Sequence, residues 1–123
     1  ERLTRWRRIA QEAAKQSKQL AVPEVHLAGS IDEALDSVAG RGSLSLVLDP
    51  AAAKGLDEML APRRERTGSV ALWVGPESGW SLPESERFSQ AGAATARLGR
   101  SILRAETAGP VAVAVARLAL GDW

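Results

Sequence analysis

Apolar residues recur at spacings of three and four along the first part of the chain: Leu3, Trp6, Ile9, Ala10, Ala13 and Ala14. Residues 3–18 therefore read as an amphipathic helix whose other face carries arginines. Val22-Pro23-Glu24-Val25 stops it, because proline cannot continue a helix, and the stretch holding His26 reads as a strand. Ser30 followed by Glu33 is a capping box, with Ile31, Leu35 and Val38 as the stripe of a short helix ending near Gly40. Leu44 to Leu48 and Val70 to Val74 are short apolar runs bounded by turn residues, which predicts two buried strands, with a short helix at 55–60 between them. Ser81-Leu82-Pro83-Glu84 is a second capping box, opening a helix to about Ala91 that Gly92 ends. Ala94 to Leu98 reads as a strand, and Thr107 to Leu120 as a helix, with Pro110 in its first turn and Gly121 as its stop. Strands separated by helices indicate an α/β domain with a mostly parallel sheet flanked by helices.

With 123 residues the chain suffices for one hydrophobic core. No apolar run approaches the roughly 20 residues that a membrane-spanning helix needs. Glu1 to Lys18 is charged throughout and unlike a secretory signal, so a cytoplasmic protein with no membrane partner is expected. The absence of cysteine excludes disulfides, thiolate metal sites and cysteine nucleophiles, and a lone histidine leaves little for zinc, so no metal is expected. A formal net charge of +1 conceals an uneven distribution. Arg5, Arg7 and Arg8 lie in the first helix, Arg63, Arg64 and Arg66 in a loop between Pro62 and Gly68, and Arg97, Arg100 and Arg104 form a third group. Such patches attract a polyanion or are simply solvated surface.

The chemistry concentrates in two glycine-containing stretches, each between a strand and a helix. The first is Val74-Gly75-Pro76-Glu77-Ser78-Gly79-Trp80-Ser81. In parallel sheets ligands bind beyond the carboxyl ends of strands, where this turn falls, and glycine lets a ligand approach the main chain. It matches neither the phosphate-binding P-loop nor the dinucleotide fingerprint, so a ligand-free tight turn is the alternative. The second runs from Leu98 through Gly99, Ile102, Leu103, Arg104 and Glu106 to Thr107. Its mixture of apolar and polar groups suits the wall of a small-molecule pocket, while Arg104 and Glu106 alternatively pair at a helix entrance. His26 lies outside both stretches and reads as structural. Trp6, Trp73, Trp80 and Trp123 sit in or beside apolar segments and read as packing residues.

These two stretches, together with Arg5-Trp6-Arg7-Arg8-Ile9-Ala10-Gln11-Glu12-Ala13-Ala14-Lys15-Gln16-Ser17 and Val22-Pro23-Glu24-Val25, occur in the order of four signatures of the ribosomal RNA small subunit methyltransferase E family. The chain resembles that family over essentially its whole length. Ser78 stands where the pattern has glycine, and Gly109-Pro110 where it has alanines.

The resemblance implies a SPOUT-type α/β knot with a C-terminal trefoil knot, acting as a homodimer. It implies S-adenosylmethionine as cofactor and methylation of N3 of a uridine in 16S rRNA of the small ribosomal subunit. Carried over, the cofactor-binding residues are Val74, Gly75, Pro76, Glu77 and Gly79 of the first loop, and Leu98, Gly99, Ile102, Leu103, Arg104, Glu106 and Thr107 of the second. Residues 1–123 would then form the methyltransferase domain without its opening strand and helix and without the family's N-terminal RNA-binding β-domain. The protein's task would be positioning and removal of the N3 proton, for which no base is assigned; Glu77 and Glu106 are the loop carboxylates. Arg5, Arg7, Arg8, Arg63, Arg64 and Arg66 are expected to contact RNA phosphates. The competing readings are a non-catalytic RNA-binding or dimerisation module and an enzyme acting on another RNA. A homodimer also suits the last helix, whose Val111, Val113, Val115, Leu118 and Leu120 lie on more than one face.

Overall fold

A computed structural model describes residues 2–19, 21–66, 68–99 and 102–122, so Arg100, Ser101 and Trp123 lie outside the described residues. In chain order the elements are α1 (Arg2–Gln16), α2 (Ile31–Ala39), β1 (Leu44–Leu48), α3 (Leu56–Leu60), a 3₁₀ turn (Ala61–Arg63), β2 (Val70–Trp73), α4 (Leu82–Gln90), β3 (Ala94–Ala96) and α5 (Ala105–Leu120). The three strands form one parallel sheet in the order β2-β1-β3, with Leu46 opposite Leu72 on one side and Ala94 on the other. Because the first strand is central, the connection through α4 must carry the chain from one edge of the sheet to the other.

Side chains of successive strand residues point to opposite faces, and the two faces have separate cores. Leu46, fully buried, packs with Leu56, Leu60, Ala96, Ala112 and Ala116, which places α3 and α5 on one face. Val47 packs with Leu35 and Phe88, which places α2 and α4 on the other. The small residues Ala108, Ala112 and Ala116 form the buried stripe of α5 and let its backbone approach the sheet closely.

Local signals fix the helix starts. At α4, Glu84 N–H donates to Ser81 Oγ (3.2 Å) and Ser81 N–H to Glu84 Oε1 (2.7 Å), the reciprocal capping box expected from the sequence. At α2 the Ser30 hydroxyl accepts from Glu33 N–H (3.1 Å), but the Glu33 carboxylate takes the amide of Gly29 (2.9 Å) and not that of Ser30.

Three sequence expectations are corrected. No strand forms around His26; His26, Leu27 and Ala28 share a depression with Ala71, Leu72 and Trp73 of β2 without forming a strand, and the exposed His26 ring meets Glu24 Oε2 at 3.2 Å. The Val25 carbonyl in this segment is taken by Arg7 Nε (3.1 Å), a side-chain partner in place of a strand. β3 stops at Ala96; Arg97 makes one bridge to Gly55, and Leu98 leaves the sheet. α5 begins at Ala105, so Pro110 lies in its second turn and not its first. Proline there cannot donate to the Glu106 carbonyl, yet α5 continues through it to Leu120.

Candidate functional site

Parallel pairing brings the carboxyl ends of all three strands to one edge of the sheet. Each strand runs into a loop there: β1 into Asp49-Pro50, β2 into Val74 to Gly79, and β3, by way of Arg97, into Leu98-Gly99. Together these loops enclose a cavity of about 300 Å³, at the lower end of the range for small-molecule sites. The connections that leave the neighbouring strands β1 and β2 lead to opposite faces of the sheet, to α3 and to α4, and such a switch point is where ligands of open parallel sheets bind.

Nine of the residues singled out in the sequence line this cavity. Val74, Gly75, Pro76, Glu77 and Gly79 come from the first loop, and Leu98, Gly99, Ile102 and Leu103 from the second. Arg104, Glu106 and Thr107 are not among the lining residues. Arg104 is the N-cap of α5, where its carbonyl accepts from Thr107 N–H (2.9 Å) and Ala108 N–H (2.7 Å); Glu106 and Thr107 are exposed in the first turn of that helix. Glu77 is thus the one loop carboxylate of the pair that reaches the cavity. Sequence reasoning missed Leu48, Asp49, Pro50, Trp80, Ser85, Ala105 and Ala108, which line it too. Asp49-Pro50 follows a buried strand just as the glycine loops do, and that signal alone could have singled it out.

The first loop is shaped by a turn and an aromatic lid. Gly79 N–H donates to the Pro76 carbonyl (2.8 Å), and Gly79 holds φ +80, a conformation that glycine enters without strain. Ser78 takes no such angle and is exposed, so its hydroxyl does not narrow the cavity. Trp80 folds back over Gly75 and meets Phe88 of α4 edge-on at 4.9 Å between ring centroids; Trp73 meets the same ring at 5.0 Å. The Nε1 atoms of Trp73 and Trp80 are buried and have no hydrogen-bond partner among the described residues. Across the cavity Ile102 is 79% exposed, an apolar wall that a bound ligand would cover.

The RNA methyltransferase domain model matches residues 1–117. The chain belongs to this family. Ribosomal RNA small subunit methyltransferase E of Mycobacterium bovis is 33% identical over 125 residues, covering 98% of this chain and 46% of the relative. The Bacillus subtilis protein of the same name is 30% identical over 107 residues, covering 85% and 42%. The chain thus spans about half the length of the curated relatives it matches. Among solved structures, ribosomal RNA small subunit methyltransferase E of Neisseria gonorrhoeae bound to S-adenosyl methionine superposes with a TM-score of 0.75 at 34% identity, covering 95% of this chain and 46% of that one. A Legionella pneumophila protein in complex with the bound cofactor SAM gives 0.83 at 30% identity, covering 96% and 46%.

In this RNA methyltransferase domain the arginines expected at RNA do not form one patch. Arg64 Nη1 donates to the Leu118 carbonyl (3.1 Å), and Glu65 N–H to the Leu120 carbonyl (3.0 Å), so the arginine loop is fastened to the C-terminal end of α5. Arg63 and Arg66 share a depression with Val70, the first residue of β2, at the end of the sheet opposite the cavity. Arg5 and Arg8 are exposed beside Trp6 on α1, while Arg7 holds Val25. Among the described residues no helix is long and apolar enough to cross a membrane.

Proposed function

We propose that this chain is the S-adenosylmethionine-binding domain of an enzyme that methylates N3 of a uridine in 16S rRNA of the small ribosomal subunit. The observation that carries the reading is the cavity itself. Two loops chosen from the sequence as a cofactor site converge, with nine of their residues, at the ends of three parallel strands. The relatives named for small-subunit rRNA methylation, and the S-adenosyl methionine in a solved neighbour, support this choice of ligand and substrate.

The lining fits such a cofactor. Leu48, Val74, Leu98, Ile102 and Leu103 supply apolar wall for a flat ring, and the main chain at Gly75 and Gly99 offers close approach. When bound, the cofactor supplies an electrophilic methyl group. The protein holds the uridine in line with it and lets the N3 proton leave as the new N–C bond forms. The trefoil knot and the homodimer implied by the resemblance belong to this proposal, as do the cytoplasmic location and the absence of a metal expected from the sequence. The domain would act with segments beyond this stretch, in keeping with relatives about twice its length.

Incubating the protein with methyl-labelled S-adenosylmethionine and small subunits lacking the modification tests the reading. Label at N3 of one uridine is expected. Label on another RNA or another ring position would replace the proposed substrate. Cofactor binding without transfer to any RNA would favour the non-catalytic module.

A further inference from the structure

We propose that Asp49 makes this cavity choose its ligand by positive charge, favouring the sulfonium of S-adenosylmethionine over the neutral thioether left after methyl transfer. The inference rests on the cofactor site proposed above and adds a specificity-determining residue to it. Asp49 ends the central strand, at the point where the three loops meet, and lies half-buried against the cavity. It is fixed twice: its amide donates to the Ala96 carbonyl of β3 (2.9 Å), and its Oδ1 accepts from Ala51 N–H (2.9 Å). The first bond holds the main chain and the second orients the carboxylate, whose other oxygen has no partner among the described residues. The other described lining groups are neutral, apart from Glu77 on the exposed tip of the first loop. A carboxylate held against an apolar wall interacts strongly with a nearby cation, and a neutral ligand leaves it uncompensated.

Methyl transfer changes that balance. The S–CH₃ bond breaks, its electron pair stays on sulfur, the methyl joins the acceptor nitrogen and the nitrogen's proton leaves. The sulfur passes from a positive sulfonium to a neutral thioether, while the amino-acid end keeps the same charges. A fixed carboxylate thus favours the ligand before transfer over the ligand after it, and assists exchange of product for fresh cofactor.

Calorimetry with S-adenosylmethionine and S-adenosylhomocysteine on the protein and on Asp49→Asn and Asp49→Glu tests this. Asparagine keeps an oxygen for Ala51 N–H, so the turn survives, and thermal unfolding verifies the fold. Asp49→Asn is expected to weaken S-adenosylmethionine binding about tenfold while changing S-adenosylhomocysteine less than about threefold. Asp49→Glu, which keeps the charge, is expected to retain the preference. Equal weakening of both ligands, or no change in either, would overturn the inference while leaving the site standing. A parent protein that binds neither ligand would remove the site assignment, and this inference with it.

Discussion

Gly75 lies directly beneath the indole of Trp80: a Cβ built on Gly75 would stand 2.8 Å from Cε2 and 3.1 Å from Nε1 of that ring. The sequence assigns this glycine the role of letting a ligand approach the main chain, and in the fold the nearest atoms a side chain at 75 would meet are those of the tryptophan. Glycine is needed here for packing of the loop as well as for access to its main chain.

Gly75→Ala is therefore expected to displace Trp80, costing about 1–3 kcal/mol of stability through overpacking and weakening S-adenosylmethionine binding. In a Trp80→Ala background the same change should cost much less, because the two residues are in contact and their effects do not add. Denaturant unfolding of the four proteins measures the coupling. Additive losses would show that the indole does not press on residue 75.

Trp80→Phe should cost less than Trp80→Ala, since a phenyl ring keeps much of the packing against Phe88 and the buried Nε1 has no partner to lose among the described residues. Trp80→Ala should cost about 2 kcal/mol or more, because the contact with Phe88 goes with the ring. Chemical denaturation separates the two; an equally damaging phenylalanine would show that the contact of the ring with Phe88 is not what stabilises the loop.

The arginines divide by role. Arg64→Ala is expected to lower stability by about 0.5–1 kcal/mol, through loss of its bond to the α5 C-terminal carbonyl, and to leave RNA affinity unchanged. Arg5→Glu with Arg8→Glu is expected to weaken binding to many RNAs alike and to flatten the salt dependence. Titrations at several salt concentrations decide; a salt slope equal to the parent's would mark Arg5 and Arg8 as solvated surface.

Val113 and Leu118 are 51% and 63% exposed on α5, on the side away from its alanine stripe. If copies of the chain pair through this side, Leu118→Glu will convert a dimer of twice the 13.0 kDa chain mass to monomer without lowering monomer stability. Light scattering at micromolar concentration measures this. A parent protein already at the mass of one chain would contradict it.

Much of the local structure was legible in the sequence because its causes are local. The Ser81–Glu84 box places α4, the apolar runs at 44–48 and 70–73 are strands, and Gly121 stops α5 where expected. The two glycine loops stood out because turn chemistry between a strand and a helix is written in neighbouring residues. The His26 segment misled for the complementary reason: a strand needs a partner, and Val25 spends its carbonyl on Arg7.

Tertiary structure decided which distant residues share the site. Setting Leu46 between Leu72 and Ala94 makes β1 central and brings Asp49 to the two glycine loops, a meeting that the strand-end position of Asp49 in the sequence does not specify. The same pairing turns the first turn of α5 so that Ala105 and Ala108 face the cavity while Arg104, Glu106 and Thr107 do not. Arg64 likewise reads from the sequence as a contact to RNA phosphate, whereas the fold lays it on the end of α5. Periodicity and caps act over a few residues and are determined by the sequence alone, whereas strand order is set by burying both faces of one sheet at once, a condition on the whole chain.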